Sequence, residues 1–267
     1  MAAGLAGQLG EDLLIYHCVD DFAAAQPGRR DYIEEHERSL LARADLVITC
    51  SENILESKAP FCNEIINVPN GVDFDLYNRA LDPDTPIATP LNKKTAPIIG
   101  FSGALDFRLD EAFLIAAANR YPQFQFVLVG PALKKFPGLE RQQNVTLLGN
   151  RPVSDLPSYI KAFDVCLVPY KMNDFVKNIS PLKVYEYLAA GKAVVSPDIR
   201  AVRSLADVLF IGRSDLEMID LIGRALESNS KEDVQARVER AGENTWHHRL
   251  SAVSSKIAQI EARKKHD

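Results

Sequence analysis

Ser180-Pro181-Leu182-Lys183 is followed, one helical turn on, by Glu186, and Gly191 separates this segment from the apolar run Ala193-Val194-Val195-Ser196. Ser is a favoured helix N-cap and Pro suits the first turn, so a helix is expected over 181–190. The first N–H groups of a helix lack acceptors within it, and the helix dipole is positive at that end. Such an end holds anions, a diphosphate among them. Lys183 adds a positive charge in the same turn. The carboxylate of Glu186 can accept hydrogen bonds from two adjacent ribose hydroxyls. It stands on an otherwise apolar helix, where a charge needs a partner. Gly103 ends an apolar run and permits close backbone approach to a diphosphate.

The elements around these residues alternate. In the first part, strands are expected at 13–16, 45–50 and 65–68, with helices at 31–44 and 52–58, the latter capped by Ser51. Asn70-Gly71 is a turn signal. From 81 to 97 the chain carries Pro83, Pro86, Pro90 and Pro97. Prolines fix φ and remove donors, so an extended linker is expected there. Alternation then resumes. Strands are expected at 98–103, 126–130, 145–149, 164–168, 193–196 and 208–211. Helices are expected at 110–121, 154–163, 181–190, 202–206, 215–228 and 232–263. Continuous apolar strands separated by helices imply a parallel sheet covered on both faces, an α/β fold. Ligands of such sheets bind at the carboxyl ends of the strands. Gly103, Gly130 and Gly149 each end one, and Tyr170 closes another.

Composition narrows the function classes. The formal net charge is −5 and no basic stripe stands out, which argues against a nucleic-acid partner. The basic run Arg263-Lys264-Lys265-His266 reads as a solvated helix end. Cys18, Cys50, Cys62 and Cys166 form no C-x-x-C pair, which suits a reducing, cytoplasmic compartment. Residues 1–7 lack the pattern of a signal peptide, and no apolar run is long enough to span a bilayer. Any membrane contact is therefore expected to be peripheral, on the inner face. No His/Cys/Asp cluster has metal-ligand spacing, and no cofactor is expected.

Asn178 to Val195, with Glu186 at its centre, resembles the nucleotide-sugar signature of retaining glycosyltransferases with two Rossmann-like domains, the GT-B fold. It is most similar to family 4 (glycosyl transferases group 1) and to transferases of teichuronic acid and polysaccharide synthesis. That signature has two glutamates eight positions apart; here Glu186 matches the second, and Asn178 stands where the first would be. Ala44–Ser51, Val68–Asp73, Ile99–Leu105, Phe126–Pro131, Asn144–Gly149, Leu156–Tyr170 and Trp246 resemble further family segments, in order.

The resemblance implies a division into 1–80 (a partial acceptor-side domain), 81–97 (linker), 98–245 (a complete donor domain) and 246–267 (a closing helix). It implies a nucleoside-diphosphate sugar as donor, a glycan or lipid-linked acceptor, and metal-independent transfer with retention in cell-envelope or exopolysaccharide synthesis. It places Glu186 on the donor ribose, Arg108 on the diphosphate and Arg151 beside the base. His17, Asp20 and Asp21 become the candidates beside the reacting sugar, with the two aspartates preferred. The family's opening strands and glycine loop are not seen, so the chain is expected to be a fragment or to be completed by another chain. Two other readings stay open: a module that binds nucleotide sugar without turnover, and a nucleotide-sugar epimerase, for which no clear set of carboxylates and histidines is seen.

Overall fold

A computed structural model describes residues 2–93 and 95–264. Met1, Lys265 and His266 lie outside the described residues, and with them part of the N-terminal stretch and of the terminal basic run. Strands β1 (Ile15–Cys18), β2 (Leu46–Thr49) and β3 (Ile65–Asn67) form a parallel sheet in the order β1-β2-β3. The helices between them are α1 (Phe22–Ala25), α2 (Arg30–Leu41) and α3 (Glu52–Lys58). Strand β2 is buried along its whole length because it pairs on both sides. The first strand starts later than its apolar run: Leu14 precedes it, with its N–H donating to Asp45 Oδ2 at 2.8 Å. Ser51 caps α3 by accepting from Ile54 N–H.

Helix α4 (Phe74–Asn78) follows. The expectation of an extended linker over 81–97 is corrected, because much of this stretch folds onto the second part of the chain. Ala88 and Leu91 are buried in its core, and Ala88 N–H donates to the Ser158 carbonyl at 3.0 Å. Prolines remove donors but leave carbonyls that need partners. The Lys161 ammonium supplies them, donating to the carbonyls of Asp82 (2.5 Å), Pro83 (3.4 Å) and Thr85 (2.8 Å).

The second sheet holds β4 (Ile98–Ser102), β5 (Gln125–Val129), β6 (Val145–Leu147), β7 (Val165–Leu167), β8 (Ala193–Pro197) and β9 (Phe210–Gly212). All pairs are parallel, in the order β6-β5-β4-β7-β8-β9. Its helices are α5 (Glu111–Arg120), α6 (Pro137–Glu140), α7 (Leu156–Ala162), α8 (Asp174–Asn178), α9 (Leu182–Ala189) and α10 (Asp215–Glu227). α6 and α8 are too short for helical periodicity to reveal. The winding direction reverses between β4 and β7, and a crevice opens outside the carboxyl ends of strands at such a point.

The single helix expected over 232–263 is corrected to two, α11 (Lys231–Gly242) and α12 (Trp246–Lys264). The chain breaks because Thr245 bridges to Val72: Val72 N–H donates to Asn244 O at 2.9 Å, and Trp246 N–H to Val72 O at 3.4 Å. α12 then lies on the first sheet, with Ile260 buried against Leu46 and Ile48. Lys256 and Arg263 pair with Glu64 at 2.6 and 2.7 Å, and Lys264 pairs with Asp45 at 2.6 Å. His247 and His248 are exposed on this helix.

Candidate functional site

A cavity of about 280 Å³ lies where the strand order reverses. The turn after β4 forms one wall. Gly103 N–H donates to Val129 O at 2.8 Å, which draws that turn against the end of β5. The approach is so close that a Cβ on Gly130 would sit 1.9 Å from the Gly103 carbonyl oxygen. Gly103 also lies beside Lys183, whose Cε would be 3.2 Å from a Cβ at position 103. The backbone at 103 is therefore open to a ligand where a side chain would block it.

The opposite wall is the start of α9. Ser180, Pro181, Leu182 and Lys183 all line the cavity. The capping role expected of Ser180 is corrected. Pro181 holds the cap position and its carbonyl accepts from Val184 N–H at 3.1 Å. Ser180 instead turns to Asn70: its Oγ accepts from Asn70 N–H at 3.2 Å, and its carbonyl accepts from Asn70 Nδ2 at 2.7 Å. Gly191, at φ +67°, ends α9 in the left-handed conformation.

Two cations reach the cavity. Lys183 Nζ donates to Glu186 Oε2 at 2.7 Å. Arg108 donates to both oxygens of Asp106 at 2.6–3.1 Å and stands 5.4 Å from the centre of the Tyr170 ring. Burial pulls the Arg108 pKa down, but the hydrogen bond to Asp106 and the charges of Tyr170, Asp106 and Asp20 raise it above its usual value. Tyr170 also lines the cavity; burial pushes its phenol up to about 12, opposed by Arg108. Asp20 faces Arg108 from the first sheet's side and is half-buried. Burial holds its carboxyl above the ordinary range, Arg108 opposes this, and Asp21 adds to it.

Four of the expected residues stand elsewhere. Glu186 is 4% exposed and is not among the residues lining the cavity. Its carboxylate binds Lys183 and the hydroxyl of Tyr77, whose phenol burial and Glu186 together push well up. Asp21 caps α1, its Oδ1 accepting from Ala24 N–H at 3.0 Å, while its Oδ2 accepts from Asn178 Nδ2 at 2.9 Å. His17 is exposed on β1 and does not line the cavity. Arg151 follows β6, two strands from β4, so the sheet holds it away. It donates to the Tyr159 hydroxyl at 2.7 Å and to the Asn150 carbonyl at 2.9 Å. Sequence reasoning did not single out Asn70 as a site residue; it stood only as the turn residue before Gly71 and within the family-like segment Val68–Asp73.

Larger cavities lie away from the strand reversal. One, of about 880 Å³, lies between β9, α10 and α11; a second, of about 750 Å³, lies beside β1 and α2; a third, of about 430 Å³, lies between Arg38 and Ala42 of the first unit and the turn at Pro60–Asn63. None of these combines glycine backbone, a helix start and two cations as the smaller one does. Among the described residues, no three His, Cys, Asp or Glu side chains could hold a metal, and no helix is long and apolar enough to cross a membrane.

Comparison with known proteins bears on the fold and the family. TuaH of Bacillus subtilis (strain 168), named as a teichuronic acid biosynthesis glycosyltransferase, is 30% identical over 204 residues. The match takes in 70% of this chain and 51% of TuaH, so the chain spans about half the length of that relative. Among solved structures, trehalose 6-phosphate synthase from Burkholderia multivorans superposes with a TM-score of 0.77 at 12% identity, over 98% of this chain and 70% of that one. The Anabaena protein HepE in complex with UDP-glucose gives 0.72 at 18%, over 92% and 72%. Sucrose-phosphate synthase from Thermosynechococcus elongatus gives 0.69 at 19%, over 98% and 67%. These neighbours show the fold, two Rossmann-like units of the GT-B type. Residues 96–228, which hold the second sheet and both cations of the cavity, match the family model "Glycosyl transferases group 1", and this part of the chain belongs to that family.

Proposed function

We propose that this chain carries the donor-binding site of a glycosyltransferase that moves a sugar from a nucleoside-diphosphate sugar to a glycan or lipid-linked acceptor. The observation that carries the reading is the cavity at the strand reversal, where Gly103, the start of α9, Lys183 and Arg108 converge. Two cations and a helix start offset the charge that builds on a leaving diphosphate. The bond from the anomeric carbon to the diphosphate breaks with its electron pair on the diphosphate. The acceptor hydroxyl forms the new bond, and Asp20 lies at the cleft to receive its proton. The HepE structure holds UDP-glucose, which supports this donor class. The name of TuaH supports a place in cell-envelope polysaccharide synthesis. Retention and metal independence are carried over from the family signature around Glu186. Four unpaired cysteines support a cytoplasmic setting, with any membrane contact peripheral.

A cavity of about 280 Å³ is at the low end for ligand pockets, about 300–1,000 Å³, and suits the diphosphate end of the donor rather than all of it. Glu186 reaches a ribose only when Lys183 leaves it for the phosphates. Lys183→Ala is therefore expected to weaken binding of nucleoside-diphosphate sugars about ten-fold, about 1.4 kcal/mol. Titration calorimetry with UDP-glucose and a panel of other nucleotide sugars checks this, and unchanged affinity would sink the assignment.

One observation favours a binding module without turnover: β1 is the edge of a three-stranded sheet, beside apolar Leu5, Leu9, Ile15 and Tyr32. A missing segment or a partner chain would complete that unit. Sugar transfer measured beside donor binding separates the two readings, and the anomeric configuration of the product tests retention.

A further inference from the structure

The end of α8 and the loop into α9 are gripped by four residues of the other unit, Asp21, Ser51, Asn53 and Asn70. Lys177 O accepts from Asn53 Nδ2 at 2.9 Å, and Asn178 O accepts from Ser51 Oγ at 2.5 Å. Ser180 is held by Asn70 through its hydroxyl and its carbonyl. The remaining contact joins two side chains: Asn178 Nδ2 donates to Asp21 Oδ2 at 2.9 Å. The other oxygen of Asp21 accepts from Ala24 N–H and starts α1. Both Asp21 oxygens are thus committed, one to its own unit and one across the cleft. Its neighbour Asp20 is the carboxyl that lines the cavity opposite Arg108. The Asp20 main chain is fixed too, its carbonyl accepting from Phe22 N–H at 3.0 Å.

We propose that Asn178 is a positioning residue: its amide holds the Asp21 carboxylate across the cleft and so sets where Asp20 stands over the donor's sugar. The chemistry requires an amide. Asp20 and Asp21 are adjacent carboxyls, and a third at position 178 would replace an N–H donor with a repelling acceptor. A neutral apolar residue would leave Asp21 Oδ2 without its partner. A hydrogen bond to a charged group is stronger than one between neutral groups, and here it steadies the start of the four-residue helix α1. The part of this proposal that concerns the sugar rests on the donor reading above; the cross-cleft pairing does not.

The test uses Asn178→Asp and the exchanged pair Asp21→Asn with Asn178→Asp, each in the full chain. The exchanged pair keeps one amide and one carboxylate in contact, and Asn caps a helix as well as Asp. Hydrogen exchange of the amides at 20–25 is expected to speed up about ten-fold or more in Asn178→Asp and to return close to wild type in the exchanged pair. Calorimetry then compares UDP with UDP-glucose as probes. UDP affinity should be the same in all three proteins, because Lys183 and Arg108 are untouched. The gain of UDP-glucose over UDP should be lost in Asn178→Asp and recovered in the exchanged pair. Exchange rates unaffected by Asn178→Asp overturn the proposal, as does an exchanged pair no better protected than the single variant. Failure of the wild type to bind either probe counts against the donor reading alone, and hydrogen exchange still decides the pairing.

Discussion

Asp20 shows how a site residue works against the stability of its own fold. Burial raises its pKa, so the ionised form is less stable in the folded chain than in the unfolded one. That cost is absent below the ordinary value of 3.8 and grows as pH rises through the raised folded value. Asp20→Asn is therefore expected to melt at a higher temperature than wild type at neutral pH, with the two curves converging below about pH 4. Melting series at several pH values check this, and a gain that persisted in acid would contradict it. At the same scale, the type and spacing of Ser180 to Lys183 were enough to point to the cavity wall. The second partner of Glu186, beside Lys183, could not be read, because Tyr77 reaches it from α4, more than a hundred positions earlier in the chain. Arg151 and His17 also looked suitable by residue type, but the sheet geometry decided which loops meet.

Among the elements, the start of α12 depends on Gly71. A Cβ there would lie 2.6 Å from Trp246 N and 2.8 Å from its Cα, both backbone atoms that cannot turn aside. Gly71→Ala is expected to cost about 1–3 kcal/mol, as overpacking does. Urea unfolding followed by the fluorescence of Trp246 measures it; an unchanged midpoint would rule out this contact as a constraint. Strand positions were the most legible elements, since β2, β4 and β8 are buried along their whole length and read as continuous apolar runs. The break between α11 and α12 did carry a local signal, which the expectation of one long helix passed over: Gly242 and Asn244 disfavour helix, and Thr245 Oγ1 accepts from His248 N–H at 3.3 Å as a cap. The distant Val72 then fixes the break in space. The proline-rich stretch misled for a different reason: its carbonyls found the Lys161 ammonium, and its apolar residues found the core.

At the scale of the molecule, the two units also meet through Arg200. Its guanidinium pairs with Glu52 at 2.8 Å and with Glu56 at 2.7 Å, and it donates to Asn53 Oδ1 at 2.9 Å. The hydrogen bond to Glu56 leads the effects that raise its pKa further above the usual value. The two carboxylates are exposed and the guanidinium partly so, so salt screens them; the Debye length falls from about 10 Å at 0.1 M to about 3 Å at 1 M. Arg200→Ala should loosen the cleft on this side and raise the radius of gyration at low salt, and wild type should approach the variant at about 1 M salt. Solution scattering at the two salt concentrations reads this directly. Identical curves for both proteins under both conditions would show that Asn70 and α12 hold the units without Arg200.

The chain's own order of residues determined the alternation of strands and helices, the α/β class and the segment from Ser180 to Glu186. These follow from local periodicity and from end-of-helix chemistry, which act over a few neighbouring residues. Only the tertiary structure decided which candidates share a site. The strand order β6-β5-β4-β7-β8-β9 puts Gly103 beside Lys183 and takes Arg151 two strands away. The packing of the two units against each other turned Asn70 from a turn residue into a partner of Ser180, and Asn178 into a partner of Asp21. Such pairings depend on how crossovers stack strands that are far apart in sequence, and no local pattern records that.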